Sequence, residues 1–306
     1  MNKDLRIIYM GTPEFAVPSL DILVKNGFNV VAVVTVPDKK QGRGQKLTYS
    51  PVKECALTHD IPVLQPEKLK DPGFIEELAS FKADLQIVVA FRMLPVVVWD
   101  MPKLGTFNLH GSLLPDYRGA APINWAIMNG EKETGVTTFF LKHEIDTGDV
   151  ILQEKEPIGP DENVGDIYER LMYKGAQLVL ETVKQIEADK VVTKPQKVLD
   201  SEVKHAPKLF KETCEIDWTR SSQEIHDFVR GLSPYPCAWT NLLDKNCKIF
   251  KTSMLDEQPE STDDIVSDNK KVIYKKTGDG YLAIEELQLQ GKKRLTAVEF
   301  LCGNKF

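Results

Sequence analysis

A chain of 306 residues exceeds the roughly 100–200 of a usual single domain, and its 42% hydrophobic and 27% charged residues are ordinary for a globular protein. The net charge of −6, from 39 basic and 45 acidic residues, argues weakly against a large RNA partner but does not exclude one, because binding depends on where the cations cluster. Five scattered cysteines with no CxxC pair exclude a disulfide framework and a zinc knuckle, and no run approaches the ~20 apolar residues of a membrane span.

The opening MNKDLRIIYMGTPEF has too short an apolar run for a signal peptide, so a soluble, cytosolic chain is expected. LRIIYM (5–10) reads as a buried strand, followed by a helical stretch from about Pro13 to Lys25. NVVAVVTV (29–36) is a second β-rich run; PVLQP, LQIVVAF and TFNLH follow, separated by helical segments such as DPGFIEELASFK. Val/Ile runs without polar alternation indicate strands covered on both faces, hence a Rossmann-like, doubly wound and mostly parallel α/β sheet. In such folds ligands bind beyond the C-terminal ends of the strands, which directs attention to the residues after Met10, Val36, Phe91 and His110. A long helix is expected over 163–188, and the polar, lysine-rich stretch 190–206 reads as a linker. A helix over 222–232 and short alternating strands then indicate a smaller antiparallel β-barrel of the oligonucleotide-binding kind. The expected domains are 1–189, catalytic, and 207–306, the barrel.

The segment 105–122 reads GTFNLHGSLLPDYRGAAP. Asn108 and His110 are two apart at the end of an expected strand, so their side chains leave one face. An amide donor beside an imidazole suits stabilisation of an oxyanion developing on a carbonyl carbon, and the imidazole can also move a proton. No serine or cysteine stands in an activating context, which favours direct attack by a substrate amine over a covalent acyl-enzyme. A lone histidine after a strand is more often a structural hydrogen-bonder. The second constellation changes the balance: HEIDTGDV (143–150) is a polar turn between two extended runs, and Asp146 in it is placed to hold His110 in one tautomer and favour its charged form.

NLHGSLLPDYRGAAP together with IDTGDV resembles the signature of the folate-dependent formyltransferases. GTPEFAVPSL, PDKKQGRGQKL and SPVK are most similar to members of that family that act on an aminoacyl-tRNA, and the resemblance spans nearly the whole chain. It implies a catalytic trio of Asn108, His110 and Asp146, with the α-amino group of a methionine esterified to initiator tRNA attacking the formyl carbon of 10-formyltetrahydrofolate, for translation initiation. The folate would lie against Phe91, Arg92, Met93 and Leu94 and the turn Ser112, Leu113, Leu114 and Pro115. The donor is a co-substrate, no metal is implied, and a monomer is expected. Two departures stand out. Arg92 replaces a glycine usual in the family, and His143 and Glu144 precede Asp146 where an acidic residue and then glycine are usual.

The connection between Val36 and Ser50 exceeds the two to six residues usual in an α/β unit. Its Lys39, Lys40, Arg43 and Lys46 make either a solvated surface or, as the resemblance implies, a tRNA contact. GRG there lacks the lysine–serine/threonine ending of a P-loop. Lys270, Lys271, Lys275, Lys276, Lys292, Lys293 and Arg294 offer the barrel a similar choice, whereas Trp218 and Trp239 read as packing. A formyltransferase for a nucleotide-linked amino sugar would share the trio but has no need of the basic loop. A folate deformylase would use the trio on water. A nucleotide-dependent oxidoreductase would need a GxGxxG that GTPEFA lacks.

Overall fold

The computed structural model describes residues 5–41, 46–196 and 202–306, with Lys40, Gln41 and Lys46 described by their backbone alone. In chain order the elements are β1 (Arg6–Gly11), α1 (Val17–Lys25), β2 (Asn29–Val34), β3 (Lys39–Gln41), β4 (Lys46–Thr48), α2 (Pro51–Thr58), β5 (Val63–Leu64), α3 (Pro72–Ser80), β6 (Leu85–Val89), α4 (Val96–Trp99), β7 (Thr106–His110), β8 (Arg118–Gly119), α5 (Pro122–Met128), β9 (Glu133–Phe140), β10 (Val150–Pro157) and α6 (Val164–Glu187). There follow β11 (His205–Ala206), α7 (Ser222–Leu232), β12 (Ala238–Leu242), β13 (Lys245–Ser253), β14 (Ile265–Ser267), β15 (Ile273–Lys276), β16 (Tyr281–Leu289), β17 (Leu295–Thr296) and α8 (Ala297–Leu301). The chain divides into two compact units, one of residues 1–118, 135–156 and 169–204, the other of 119–134, 157–168 and 205–306.

The first unit is built on a seven-stranded sheet of order β10-β9-β7-β6-β1-β2-β5. β1 runs parallel to β2 and β6, and β6 parallel to β7, while β9 pairs antiparallel with β7. The chain winds outward from β1 through β2 to β5, then returns to β6, so the order reverses beside β1 as a doubly wound sheet requires. Every residue of β6 is buried, which explains why LQIVV shows no polar alternation. Local signals set the helix starts. Ser50 and Asp71 accept the backbone N–H of Lys53 and Phe74 at 3.1 and 3.0 Å, each followed by proline at the first helical position.

The connection after Val36, expected as a loop, carries an antiparallel ribbon of β3 against β4. The stretch 190–206, expected as a linker, is partly structured. Lys194 exchanges two backbone hydrogen bonds of 2.8 Å with Val150, and β11 pairs with β8.

In the second unit an antiparallel sheet of order β12-β13-β16-β15-β14, with β17 added on β16, packs Ile249, Leu282, Ile284 and Leu287 against Ile225, Val229 and Leu232 of α7. The sheet is antiparallel as the alternation requires, and it ends at β12 and β14 among the described residues. α7 opens with a reciprocal cap in which Ser221 and Glu224 bond each other's backbone N–H. Arg220 and Ser221 hold the Glu224 carboxyl down at about 2.

Candidate active site

β7 carries Asn108 and His110 towards its C-terminal end. Asn108 lies opposite Val88 of β6 on one side and Phe139 of β9 on the other, so its position is set from both neighbours. Its side chain is half-buried, and no protein group among the described residues bonds its amide. That amide is available to a carbonyl oxygen from outside.

His110 is 7% exposed and stands edge-on to Phe139, with ring centroids 6.4 Å apart. Its Nε2 lies 2.8 Å from the carbonyl oxygen of Tyr117. A carbonyl only accepts, so Nε2 carries the hydrogen and Nδ1 is the nitrogen able to take up a proton. Tyr117 has φ of 61°, and its own N–H donates to the Lys204 carbonyl at 2.5 Å. Nδ1 faces Oδ2 of Asp146 at 3.9 Å. That gap is too long for a hydrogen bond and suits a polar atom held between the two. Asp146 was expected to hold the tautomer; the carbonyl of Tyr117 holds it instead.

Asp146 sits in the turn between β9 and β10 with φ of 56°, a conformation aspartate tolerates better than most side chains. The turn is closed by the Phe140 N–H on the Asp149 carbonyl at 3.1 Å and by the Lys142–Asp149 ion pair at 2.8 Å. Two residues on, Gly148 has no room for a side chain, because a Cβ there would lie 1.6 Å from the carbonyl oxygen of Phe140. The amide of Gln196 donates to the carbonyls of both Asp146 and Gly148, at 2.9 and 2.8 Å. Neither Gln196 nor the Tyr117 carbonyl was legible beforehand. Any residue supplies a carbonyl, and Gln196 stands in what reads as linker.

The turn Ser112–Pro115 is rigidly held. Ser112 Oγ donates to the Asp116 carbonyl at 2.6 Å, and Thr137 Oγ1 donates to the Ser112 carbonyl at 2.6 Å while accepting the Leu114 N–H at 3.1 Å. Gln153 donates to the Leu114 carbonyl at 2.8 Å. Ser112 and Leu114 are buried, Leu113 and Pro115 half-buried. In the other expected folate segment Phe91 and Leu94 pack into the core, whereas Met93 is 75% exposed. Arg92 turns its guanidinium onto the carbonyls of Glu67, at 2.9 Å, and Pro66, so it ties down the loop after β5. Burial lowers its pKa from the usual arginine value. Trp99 meets exposed His143 edge-on at 5.6 Å, which brings the segment bearing Met93, Val96 and Val97 beside the one bearing Ile145. All four apolar side chains are exposed, a surface of the kind that a flat aromatic ring system can cover.

A family model described as formyl transferase matches residues 5–183, and one described as formyl transferase, C-terminal domain, matches residues 208–305. The chain belongs to the formyltransferase family. It is 55% identical over 310 residues to a protein named methionyl-tRNA formyltransferase from Bacteroides fragilis, covering 99% of this chain and 96% of that one. A protein of the same name from Flavobacterium johnsoniae is 53% identical over 308 residues, covering 99% and 98%. Among solved structures, the N-formyltransferase of Helicobacter canadensis, in complex with folinic acid and dTDP-3-aminofucose, superposes with a TM-score of 0.68 at 22% identity, over 94% of this chain and 99% of that one. HypX of Aquifex aeolicus in complex with tetrahydrofolic acid gives 0.66 at 21% identity; the match covers 97% of this chain and 46% of HypX. At these identities the structures establish the shared fold.

The formyltransferase's basic ribbon is anchored at its base. Asp38 accepts from Lys53 Nζ at 2.6 Å and from Gln65 at 2.8 Å, and the Lys53 bond holds its carboxyl below the usual range. Lys39 is exposed at the start of β3. Lys40 and Lys46 lie on β3 and β4 with their side chains outside the described residues, and Arg43 lies outside the described residues altogether. In the second unit, Lys275 pairs with Asp264 and lies 5.5 Å over Trp218, and Lys276 bonds the Thr262 carbonyl at 3.2 Å. Arg294 pairs with Glu286 and stacks 4.3 Å over Phe250. Trp218 and Trp239 pack against the core, as their surroundings in the sequence indicate.

Two other features lie elsewhere. A cleft of about 410 Å³ between α1 and α6 is lined by residues such as Asp21, Lys25 and Tyr173, and none of the trio lines it. Asp21, Cys55 and His59 have donor atoms within 4.8 Å of one another. Asp21 already binds Lys25 at 2.6 Å and His59 at 3.2 Å, and burial together with the Asp21 charge pushes the Cys55 thiol up, which disfavours a metal thiolate. No helix among the described residues is long and apolar enough to cross a membrane.

Proposed function

We propose that this formyltransferase moves the formyl group of 10-formyltetrahydrofolate to the α-amino group of methionine esterified to initiator tRNA, in the cytosol where that tRNA is charged. Nearly full-length identity of 53–55% to proteins named for this reaction carries the reading, because it extends over both units. The geometry supports this chemistry. The incoming amine attacks the formyl carbon, and the Asn108 amide donates to the oxyanion that develops. His110, fixed through Nε2, offers Nδ1 on the side facing Asp146, where the proton leaving the ammonium centre is taken up next to a carboxylate; collapse of the tetrahedral adduct then breaks the bond from the formyl carbon to N10, and that proton passes to N10 as tetrahydrofolate leaves. The exposed Met93, Val96, Val97 and Ile145 offer apolar cover for the pterin of the donor. Lys39, Lys40, Arg43 and Lys46 supply cations for the phosphates of the tRNA.

The test is formyl transfer by the purified chain, with 10-formyltetrahydrofolate as donor and either charged initiator tRNA or a nucleotide-linked amino sugar as acceptor. Transfer to the tRNA alone is expected, and His110→Ala and Asp146→Ala should each lower kcat by roughly 10²–10³ while tRNA binding persists. Transfer to the sugar alone would overturn the acceptor; wild-type turnover in both variants would overturn the trio.

A further inference from the structure

We propose that Gln196 is a positioning residue for the catalytic pair, holding Asp146 at its distance from His110; the proposal rests on the reading of Asp146 as catalytic. One amide group reaches both sides of the site. Its Nε2 donates to the Asp146 carbonyl at 2.9 Å and to the Gly148 carbonyl at 2.8 Å, so the two bonds straddle Thr147 and fix the turn from which the carboxylate projects. Its Oε1 accepts from Arg118 Nη2 at 2.8 Å. Arg118 is the residue after Tyr117, whose carbonyl holds Nε2 of His110 at 2.8 Å. A continuous chain therefore runs from the backbone of Asp146 through Gln196 and Arg118 to the carbonyl that orients His110, and the 3.9 Å between Nδ1 and Oδ2 is the gap it spans.

Gln196 is itself anchored. Two residues earlier, Lys194 exchanges paired backbone hydrogen bonds with Val150, the first residue of β10. The turn needs that support, since Asp146 holds a left-handed φ of 56° and Gly148 abuts the Phe140 backbone. Glutamine is specific to the task. Two acceptors on one side require an NH₂ group, and a guanidinium on the other requires an acceptor, which one side-chain amide provides at both ends.

Two substitutions separate positioning from bulk stability. Gln196→Leu keeps the approximate volume and removes all polar contacts; Gln196→Glu keeps the partner for Arg118 and has no N–H for the two carbonyls. Both should lower kcat for formyl transfer by roughly tenfold or more, because displacement of a catalytic group by about 1 Å acts on the chemical step. KM for donor and for Met-tRNA should stay within about twofold, and the melting temperature within a few degrees. In an Asp146→Asn background, followed by single-turnover measurement with excess enzyme, Gln196→Leu should slow the reaction no further, since a residue acting through Asp146 has nothing left to position.

Wild-type kcat in Gln196→Leu, or an equal fold-loss in both backgrounds, would overturn the clamp while leaving Asp146 catalytic. Wild-type kcat in Asp146→Asn would remove the group being positioned and the clamp with it. Absence of any formyl transfer by the wild-type chain would remove the reading of function and the clamp together.

Discussion

Gly148→Ala tests how tightly the Asp146 turn is held. An alanine Cβ would fall 1.6 Å from the Phe140 carbonyl oxygen, 2.8 Å from its carbon and 3.1 Å from Phe139 Cδ2. Real Cβ atoms essentially never come within 3.0 Å of another heavy atom, so the two backbones must part by about 1.4 Å, and no flexible side-chain end can yield in their place. The moved turn carries the Gly148 carbonyl, one of the two acceptors of Gln196, and Asp146 is two residues away. A shift of about 1 Å at a catalytic group costs on the order of 10²-fold in rate. Overpacking of this kind costs roughly 1–3 kcal/mol of stability. We expect Gly148→Ala to remain folded at assay temperature and to lose about 10²-fold in kcat, measured as initial-rate formyl transfer to Met-tRNA beside a thermal melt. Gly303→Ala is the control, because nothing lies within 4 Å of a Cβ there. A folded Gly148→Ala enzyme with kcat within threefold of wild type would refute the argument that the turn's position matters.

Three further outcomes are expected. Burial and neighbouring Arg230 lower the pKa of His226, while Pro160, Asp227 and Asp161 pull it the other way. The unfolded chain therefore binds the proton first as pH falls below about 6.5, and stability drops with acid; the loss in urea midpoint from pH 7.5 to 5.5 should be smaller in His226→Gln, and an equal loss would place the sensitivity elsewhere. Asp227→Ala leaves Arg230, 4% exposed, without its carboxylate, which should cost about 3–5 kcal/mol in denaturant unfolding; Asp227→Leu with Arg230→Met should cost less, and the reverse order would refute the buried-pair argument. Asp38→Ala releases Lys53 and Gln65 from the base of the ribbon and should raise KM for Met-tRNA by roughly three- to tenfold with the donor KM unchanged, through lost preorganisation; an unchanged tRNA KM would make the anchor irrelevant to RNA.

What the sequence disclosed follows period and punctuation. Unbroken Val/Ile runs gave the parallel core, whereas the close approach at Gly175 of α6, where a Cβ would lie 2.7 Å from Leu109 Cδ2, emerges only in the fold. Two-residue spacing put Asn108 and His110 on one face, and the polar turn around Asp146 was visible as punctuation between extended runs. The rest depends on long-range pairing that leaves no local pattern. Asp38, Lys53 and Gln65 are 12 to 27 residues apart, and Gln196 acts on a turn 50 residues earlier. The ribbon β3–β4 escaped because its basic, glycine-rich sequence lacks the apolar alternation by which strands are read.

The acidic total and an RNA substrate are reconciled by where the cations are committed. In the second unit Lys275, Lys276 and Arg294 are engaged by Asp264, the Thr262 carbonyl and Glu286, so part of the apparent basic content of that sheet is internal neutralisation. Exposed cations remain on β13, at Lys245, Lys248 and Lys251, and at turns. Lys270 and Lys271 precede β15, where three backbone N–H groups, from Lys270, Lys271 and Val272, draw the Asp268 carboxyl down to about 2. Lys292 and Lys293 lie between β16 and β17. On the proposed function, the burden of holding phosphates falls on short segments: the ribbon anchored at Asp38, the exposed lysines of β13, and the two lysine-bearing turns that flank β15 and β17. A net charge of −6 then limits binding elsewhere on the surface, and specificity for one tRNA follows from position on these segments rather than from a general attraction to polyanions.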